Sequence, residues 1–501
     1  MNYSQATSIL LLIYMAFTLY IVYRGAKKTK NLQDFALGNG FSPIVLGLSL
    51  AAGITSAATF IINPGFVAFF GWSAYLAMSV VLPLGLFLSL IVLTKSFRKY
   101  GANLKAITLA QWVGKRFDSQ LYTRFLAFSS LLIITFIVLI CVGLTKVIAG
   151  ALGSNEFISL IGIVVFVFGY IMFGGANSMI YTNVVQAIIK LFVAVILVFS
   201  GIDYFTNGVE AFYQKLNEID INLLKNYNPK SPLFRDWFEV VFCNFIVGIA
   251  IVCQPHIITR SLMLRSEKDV NKYLTVAILA EVVFFTVLLA GFYARIMFPD
   301  LKNDGQPIKM DGILTLYVVK KFTVGVGIIV ILGLISAGLS TLEGLVQSLS
   351  TTITNDLIAP FKKIEAGNEQ LHKINKIVIT VLGIVTIIIS NYQLMYPNLS
   401  VGIFAQNGVY AYFSAAFFPV LFGIFIKDTP KQAAITASIV AIIVHFSVYY
   451  GQLTTYTTGT IRNPAVASSI AILSSVFIGL IILWYHRFQN KSKTQLTTIE
   501  K

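Results

Sequence analysis

The sequence predicts an all-α polytopic membrane protein of about 13 transmembrane helices, with a five-plus-five inverted-repeat core built on broken helices. Three observations carry this expectation. The 501 residues are 57% hydrophobic and only 12% charged, with a mean hydropathy of +0.80. Soluble chains run at roughly a quarter charged residues, so this one cannot clothe a globular surface. Its apolar runs are long and uniform and lack the period-2 alternation of barrel strands, which leaves helices to pair every backbone amide in lipid. Two of the runs are too long and too interrupted to be simple spans.

A span needs about 20 mainly apolar residues. Candidate spans 1 to 13 centre on residues 7–23, 41–71, 73–94, 124–150, 157–173, 177–200, 237–258, 272–298, 322–355, 374–391, 398–426, 430–450 and 464–485. The first has its positive charges after it, in RGAKKTK, the reverse of a cleavable signal peptide. It reads as a retained helix with the N-terminus outside, and an odd number of crossings then puts the C-terminus in the cytoplasm. The inner loops so assigned, 24–30, 95–116, 260–272, 362–376 and the tail from 487, hold most of the 37 basic residues. The formal charge of +16 is therefore a topology signal, and no polar basic domain exists for nucleic acid to bind.

Cys141, Cys243 and Cys253 all lie in apolar runs, where a thiol behaves as a small hydrophobe. Residues 201–235 are the longest polar stretch, an external lid or a plain connection. The chain has no GxxxxGK[ST] phosphate loop, paired Cys/His metal spacing or GxSxG nucleophile turn. No enzyme is expected.

The first overlong run holds no charge from 35 to 94, and residues 41–70 would measure about 45 Å as one helix at 1.5 Å per residue. Within it Gly53, Thr55, Ser56, Ala57, Ala58 and Thr59 stand where a lipid-facing helix would carry bulky residues, and Asn63, Pro64 and Gly65 follow. Two readings fit: a helix that packs closely through small residues, or an interrupted helix whose freed carbonyls line a site. The second run contains GIAIVCQPHIITR, in which Pro255 removes an amide and pushes Gln254 out of helical geometry. The breaks fall in spans 2 and 7, so each opens a unit of five helices, and five being odd, the second unit is inverted relative to the first. Span 9 holds one charge, Glu343, and a hydroxyl-rich strip in which Ser336, Ser340 and Thr341 share a face with Ala337 and Gly338. Those hydroxyls either bond to their own helix or, with carbonyls freed in span 2, supply the hard oxygens that a cation takes.

With these residues in view, the chain resembles the sodium:solute symporter family, on SAATFIINPG in span 2, GGANSMIYTNVVQ entering span 6, QPHIITRSLMLRSEKDV ending span 7 and LSTLEGLVQSLSTTITNDL in span 9. Its motifs are closest to the branch that carries proline, pantothenate and acetate. The resemblance implies the fold of the bacterial leucine transporter, worked by alternating access, with Na+ as coupling ion. As one transporter domain over 1–501, it would comprise a peripheral first helix (7–23), a first repeat (41–200), the external loop (201–235), a second repeat (236–426), two peripheral helices (430–485) and a cytoplasmic tail (486–501). It would sit multi-pass in the cytoplasmic membrane, its partners the lipid bilayer, sodium and a small-molecule substrate.

By the same resemblance, sodium would take the carbonyls of Ala52, Thr55 and Ala337 and the hydroxyls of Ser340 and Thr341. The substrate cavity would be lined by Ser56, Thr59, Asn244 and Gln254. Family members often place Asp where this chain has Asn183, and hydroxyls where it has Glu343 and Gly344. Asn183 and Glu343 are therefore coupling candidates, with Glu343 supplying the charge lost at Asn183; the alternatives are a neutral acid, or a pair with Lys146 or Lys190. Ile251 and Val247 replace the aromatic residues of proline-specific relatives, which demotes proline. His256 reads as structural and Arg260 as an anchor of the inner interface. The expected function is sodium-coupled symport of a small organic solute: a monocarboxylate, a vitamin-like carboxylate or an amino acid. A proton-coupled or uncoupled facilitator is the alternative, and a solute sensor the weaker one.

Overall fold

The computed structural model of the chain describes residues 3–38, 40–364, 369–396 and 400–499. Among them, ten helices are long and apolar enough to cross a membrane. They are Ser4–Ala26 (span 1), Trp72–Gly101 (span 3), Gln120–Leu152 (span 4), Glu156–Phe205 (spans 5 and 6), Glu267–Met297 (span 8), Val324–Lys362 (span 9), Glu369–Met395, Val401–Phe425, Lys431–Tyr450 and Pro464–Asn490 (spans 10 to 13). Two further spans are bent pairs: Pro43–Ile54 with Ala58–Phe70 (span 2, 53°) and Phe238–Ile251 with Pro255–Met263 (span 7, 57°). The continuous helix Glu156–Phe199 has 44 residues, about 66 Å and so about twice a bilayer core. It turns at Gly175, whose φ of 51° and ψ of −148° lie outside helical geometry, and divided there it yields spans 5 and 6. The result is the expected set of about thirteen crossings.

Local chemistry sets the breaks. Ser42 caps span 2 by accepting from the Val45 amide, and Pro43 fills the first turn, where its missing N–H is not needed. Thr55 ends that first half with ψ of 105°. In span 7, Gln254 sits at ψ of 134° ahead of Pro255, which starts the second half. Both breaks lie where the sequence places them. Residues 201–235 contain a helix, Gly208–Ile219. Its Phe212 stacks on Phe205 at 4.4 Å and meets Phe292 of span 8 edge-on at 6.1 Å, so the segment is tied to the end of that span. The last helix runs on through the expected tail to Ile499. Residues 365–368 of the inner loop 362–376, residues 398–399 at the expected start of span 11 and residues 500–501 of the tail lie outside the described residues.

Spans 3 and 7 cross backbone to backbone. A Cβ on Gly85 would lie 2.6 Å from the Phe245 carbonyl oxygen, and one on Gly248 only 2.3 Å from that of Leu82. Glycine is required at both, because the obstructing atoms are main chain and cannot swing aside. Gly248→Leu is expected to destabilise the protein by about 1–3 kcal/mol, read as a lower melting temperature in detergent. Gly162→Leu, where nothing stands within 4 Å of an added Cβ, should not; equal melting of the two variants would contradict the crossing.

Candidate functional site: the cradle between spans 2, 6 and 9

A helix that stops inside a membrane leaves carbonyls without intrahelical donors. The first half of span 2 stops at Thr55, and span 9 supplies donors: Ser340 Oγ lies 2.6 Å from the Ala52 carbonyl and Thr341 Oγ1 lies 3.0 Å from that of Gly53. Ser340 Oγ is also 3.1 Å from the Ala337 carbonyl. Ala52, Ala337 and Ser340 of the expected sodium set thus meet in one cluster, with Thr341 one residue along against Gly53.

Lys190 of span 6 joins this cluster. Its Nζ donates to the Ala52 carbonyl (2.9 Å), the Thr55 carbonyl (2.7 Å) and Thr55 Oγ1 (3.1 Å). The side chain is fully buried, with Nζ 4.6 Å from the centroid of the Phe284 ring and 5.4 Å from that of Phe60. Sequence reasoning treated Lys190 only as a possible partner of Glu343. The signal that locates it was present: Asn183, Gln186 and Lys190 stand at i, i+3 and i+7 on one face of an otherwise apolar helix.

Glu343 is buried and touches neither lysine; Lys146 pairs with Asp311 at 3.5 Å. Tyr170 OH donates to Glu343 Oε1, Gln186 Nε2 does so at 3.0 Å, and Thr182 Oγ1 lies 2.5 Å from Oε2. The Asn183 amide fits with its oxygen toward Arg260 Nη2 (3.1 Å) and its nitrogen donating to Gln186 Oε1 (3.0 Å). Gln186 therefore links the two coupling candidates. Arg260 reaches this network from span 7, donating from Nε to the His256 carbonyl at 3.0 Å and from Nη1 to the Ser49 carbonyl and to Ser49 Oγ, the latter at 2.7 Å. Its guanidinium threads between Gly53 and Gly344, where an added Cβ would lie 2.4 Å and 2.8 Å from Nη2. The missing side chain at Gly344 makes room for this arginine.

A cavity of about 100 Å³ lies between the two breaks, and Ser56, Thr59 and Gln254 line it with Asn63, His256, Gln406 and Tyr410. Asn244 is not brought there: its Nδ2 donates to the Glu239 carbonyl at 2.7 Å, within its own helix. Among the described residues, Gln254 Oε1 and His256 Nδ1 are buried with no hydrogen-bond partner. Among the described residues, no Asp, Glu, Lys or Arg lines the cavity. Gln406 and Asn63 were missed from the sequence, the first because nothing marks span 11 as facing the breaks.

The comparisons with known proteins agree with this architecture. A family model described as the sodium:solute symporter family matches residues 35–441. The chain is 24% identical over 444 residues to a sodium/pantothenate symporter of Haemophilus influenzae, covering 86% of this chain and 88% of the relative. It is 27% identical over 459 residues to sodium/proline symporter 2 of Staphylococcus saprophyticus, covering 88% and 85%. Among solved structures, the substrate-bound outward-open state of a Na+-coupled sialic acid symporter superposes with a TM-score of 0.78 at 20% identity, over 96% of this chain and 98% of that one. That likeness shows the five-plus-five fold with its broken helices. With the family model matched from span 2 into span 12, the chain belongs to the sodium:solute symporter family, whose members are transporters and not enzymes.

Proposed function

We propose that this protein is a secondary active symporter that draws on a sodium gradient to accumulate a small organic solute bearing a carboxylate: a monocarboxylate, a vitamin-like carboxylate or an amino acid. The observation that carries this reading is the junction of the span 2 break with the span 9 hydroxyls beside a cavity between both breaks. Pantothenate and proline, named for relatives, are the first solutes to test. A cavity that no described Asp, Glu, Lys or Arg lines, edged by a helix start at Pro255 and by amides and hydroxyls, suits one anionic head on an apolar body. Sodium would be held by the carbonyls of Ala52, Thr55 and Ala337 and the hydroxyls of Ser340 and Thr341, hard oxygens that suit the ion. The charge distribution of the loops supports an N-terminus outside and a C-terminus in the cytoplasm, in the cytoplasmic membrane.

Purified protein in proteoliposomes should accumulate a labelled carboxylate under an inward sodium gradient and not under a choline gradient; equal uptake in both would overturn the reading. Ser340→Ala and Thr341→Ala should each raise the half-saturating sodium concentration by about tenfold, which corresponds to about 1.4 kcal/mol. Unchanged sodium affinity in both would remove these hydroxyls from the site. Glu343 gathers Tyr170, Thr182 and Gln186, and Gln186 in turn holds Asn183. Glu343→Gln should therefore alter the sodium and pH dependence of uptake, and a variant that keeps both would reduce Glu343 to a packing role.

A further inference from the structure

The cradle that sodium would enter has a built-in cation. An ammonium group carries three donors, and the three of Lys190 meet three acceptors, the carbonyls of Ala52 and Thr55 and the hydroxyl of Thr55. The Thr55 hydroxyl is free to accept, because its own hydrogen goes to the Ala51 carbonyl at 2.8 Å. The Ala52 carbonyl, with two lone pairs, receives both Lys190 Nζ and Ser340 Oγ. No lone pair of Ala52 is left for another cation while Lys190 stays. Two unit charges within about 4 Å of each other in a buried site repel too strongly to share it.

The charged groups facing Lys190 are Glu281 and Arg260. Glu281, on span 8 three residues before Phe284, is fully buried. Among the described residues neither of its oxygens has a hydrogen-bond partner, and it enters no ion pair. Its carboxylate faces both Lys190 and the Thr55 amide. A buried carboxylate that enters no ion pair, beside a lysine committed elsewhere, is a second position for that lysine.

We propose that the Lys190 ammonium and a sodium ion are mutually exclusive occupants of the Ala52–Thr55 cradle, and that sodium enters by displacing Lys190 toward Glu281. Lys190 thus acts as a tethered competitor that fills the cradle when sodium is away. The inference rests on the sodium-coupled reading above and assigns its regulation to two residues outside the sodium set named there.

The test is the half-saturating sodium concentration, measured by sodium-driven uptake and by sodium-induced thermal stabilisation, in the unmodified protein, Lys190→Met and Glu281→Gln. Removing the competitor should lower that concentration by about tenfold or more, and removing its second position should raise it by about threefold or more. A merely structural pair would weaken sodium binding in both variants, and that result overturns the proposal, as does unchanged sodium affinity in Lys190→Met. If Lys190→Met does not fold, Lys190→Gln, which removes the charge but keeps donors for the carbonyls, should lower that concentration by a smaller factor, and a value no lower than that of the unmodified protein overturns the proposal. Absence of any sodium effect in all the proteins would sink the sodium-coupled reading itself and the inference with it.

Discussion

A polar main-chain group cannot be left bare inside hydrocarbon, and the centre of this protein is organised around that constraint. Where span 2 stops at Thr55, the carbonyls of Ala52, Gly53 and Thr55 have to be met by groups from elsewhere. Span 9 sends two hydroxyls and span 6 sends an ammonium. The hydroxyls tie span 9, and the ammonium ties span 6, to the point where span 2 is interrupted. The same groups that keep the break tolerable in lipid are the ones that can recognise a cation, so stability and ion binding draw on one set of oxygens.

A second knot lies one turn away. Arg260 leaves span 7 just beyond its own break, passes between Gly53 and Gly344 and binds Ser49. Both broken helices and span 9 are therefore held by one guanidinium. Glu343 completes the group through Gln186 and Asn183. Along this face of span 6 the polar residues follow one another from the Glu343 network at Thr182, Asn183 and Gln186 to the cradle at Lys190. The cavity between the two breaks is close enough to the cradle that Ser56 lines the one while Thr55 borders the other.

Much of this was legible from the sequence because lipid leaves few options. A charge-free stretch too long for one span marked the first break, and Gln254–Pro255 marked the second. Ser340 and Ala52 were legible as neighbours once the hydroxyl strip and the broken helix were read together. Asn244 was misplaced because an amide on an apolar helix can satisfy a carbonyl of its own turn, here Glu239, and periodicity does not tell the two uses apart. Lys190 was weighed against the wrong partner, since one-dimensional spacing says which face a lysine occupies but not how far its four-carbon stem carries the charge. Glu281 attracted no attention at all, being one acid in an ordinary-looking span.

The glycine contact between Gly85 and Gly248 has a mechanical consequence. With no side chains between the two backbones, span 3 and the first half of span 7 lie in direct main-chain contact. The second half of span 7 also meets span 3, where a Cβ on Gly101 would lie 2.4 Å from Leu262 Cδ2 and Arg98 donates to the Leu264 carbonyl at 2.8 Å. Span 3 therefore braces span 7 on both sides of its break, so the bend at Gln254 is held from outside as well as by Pro255.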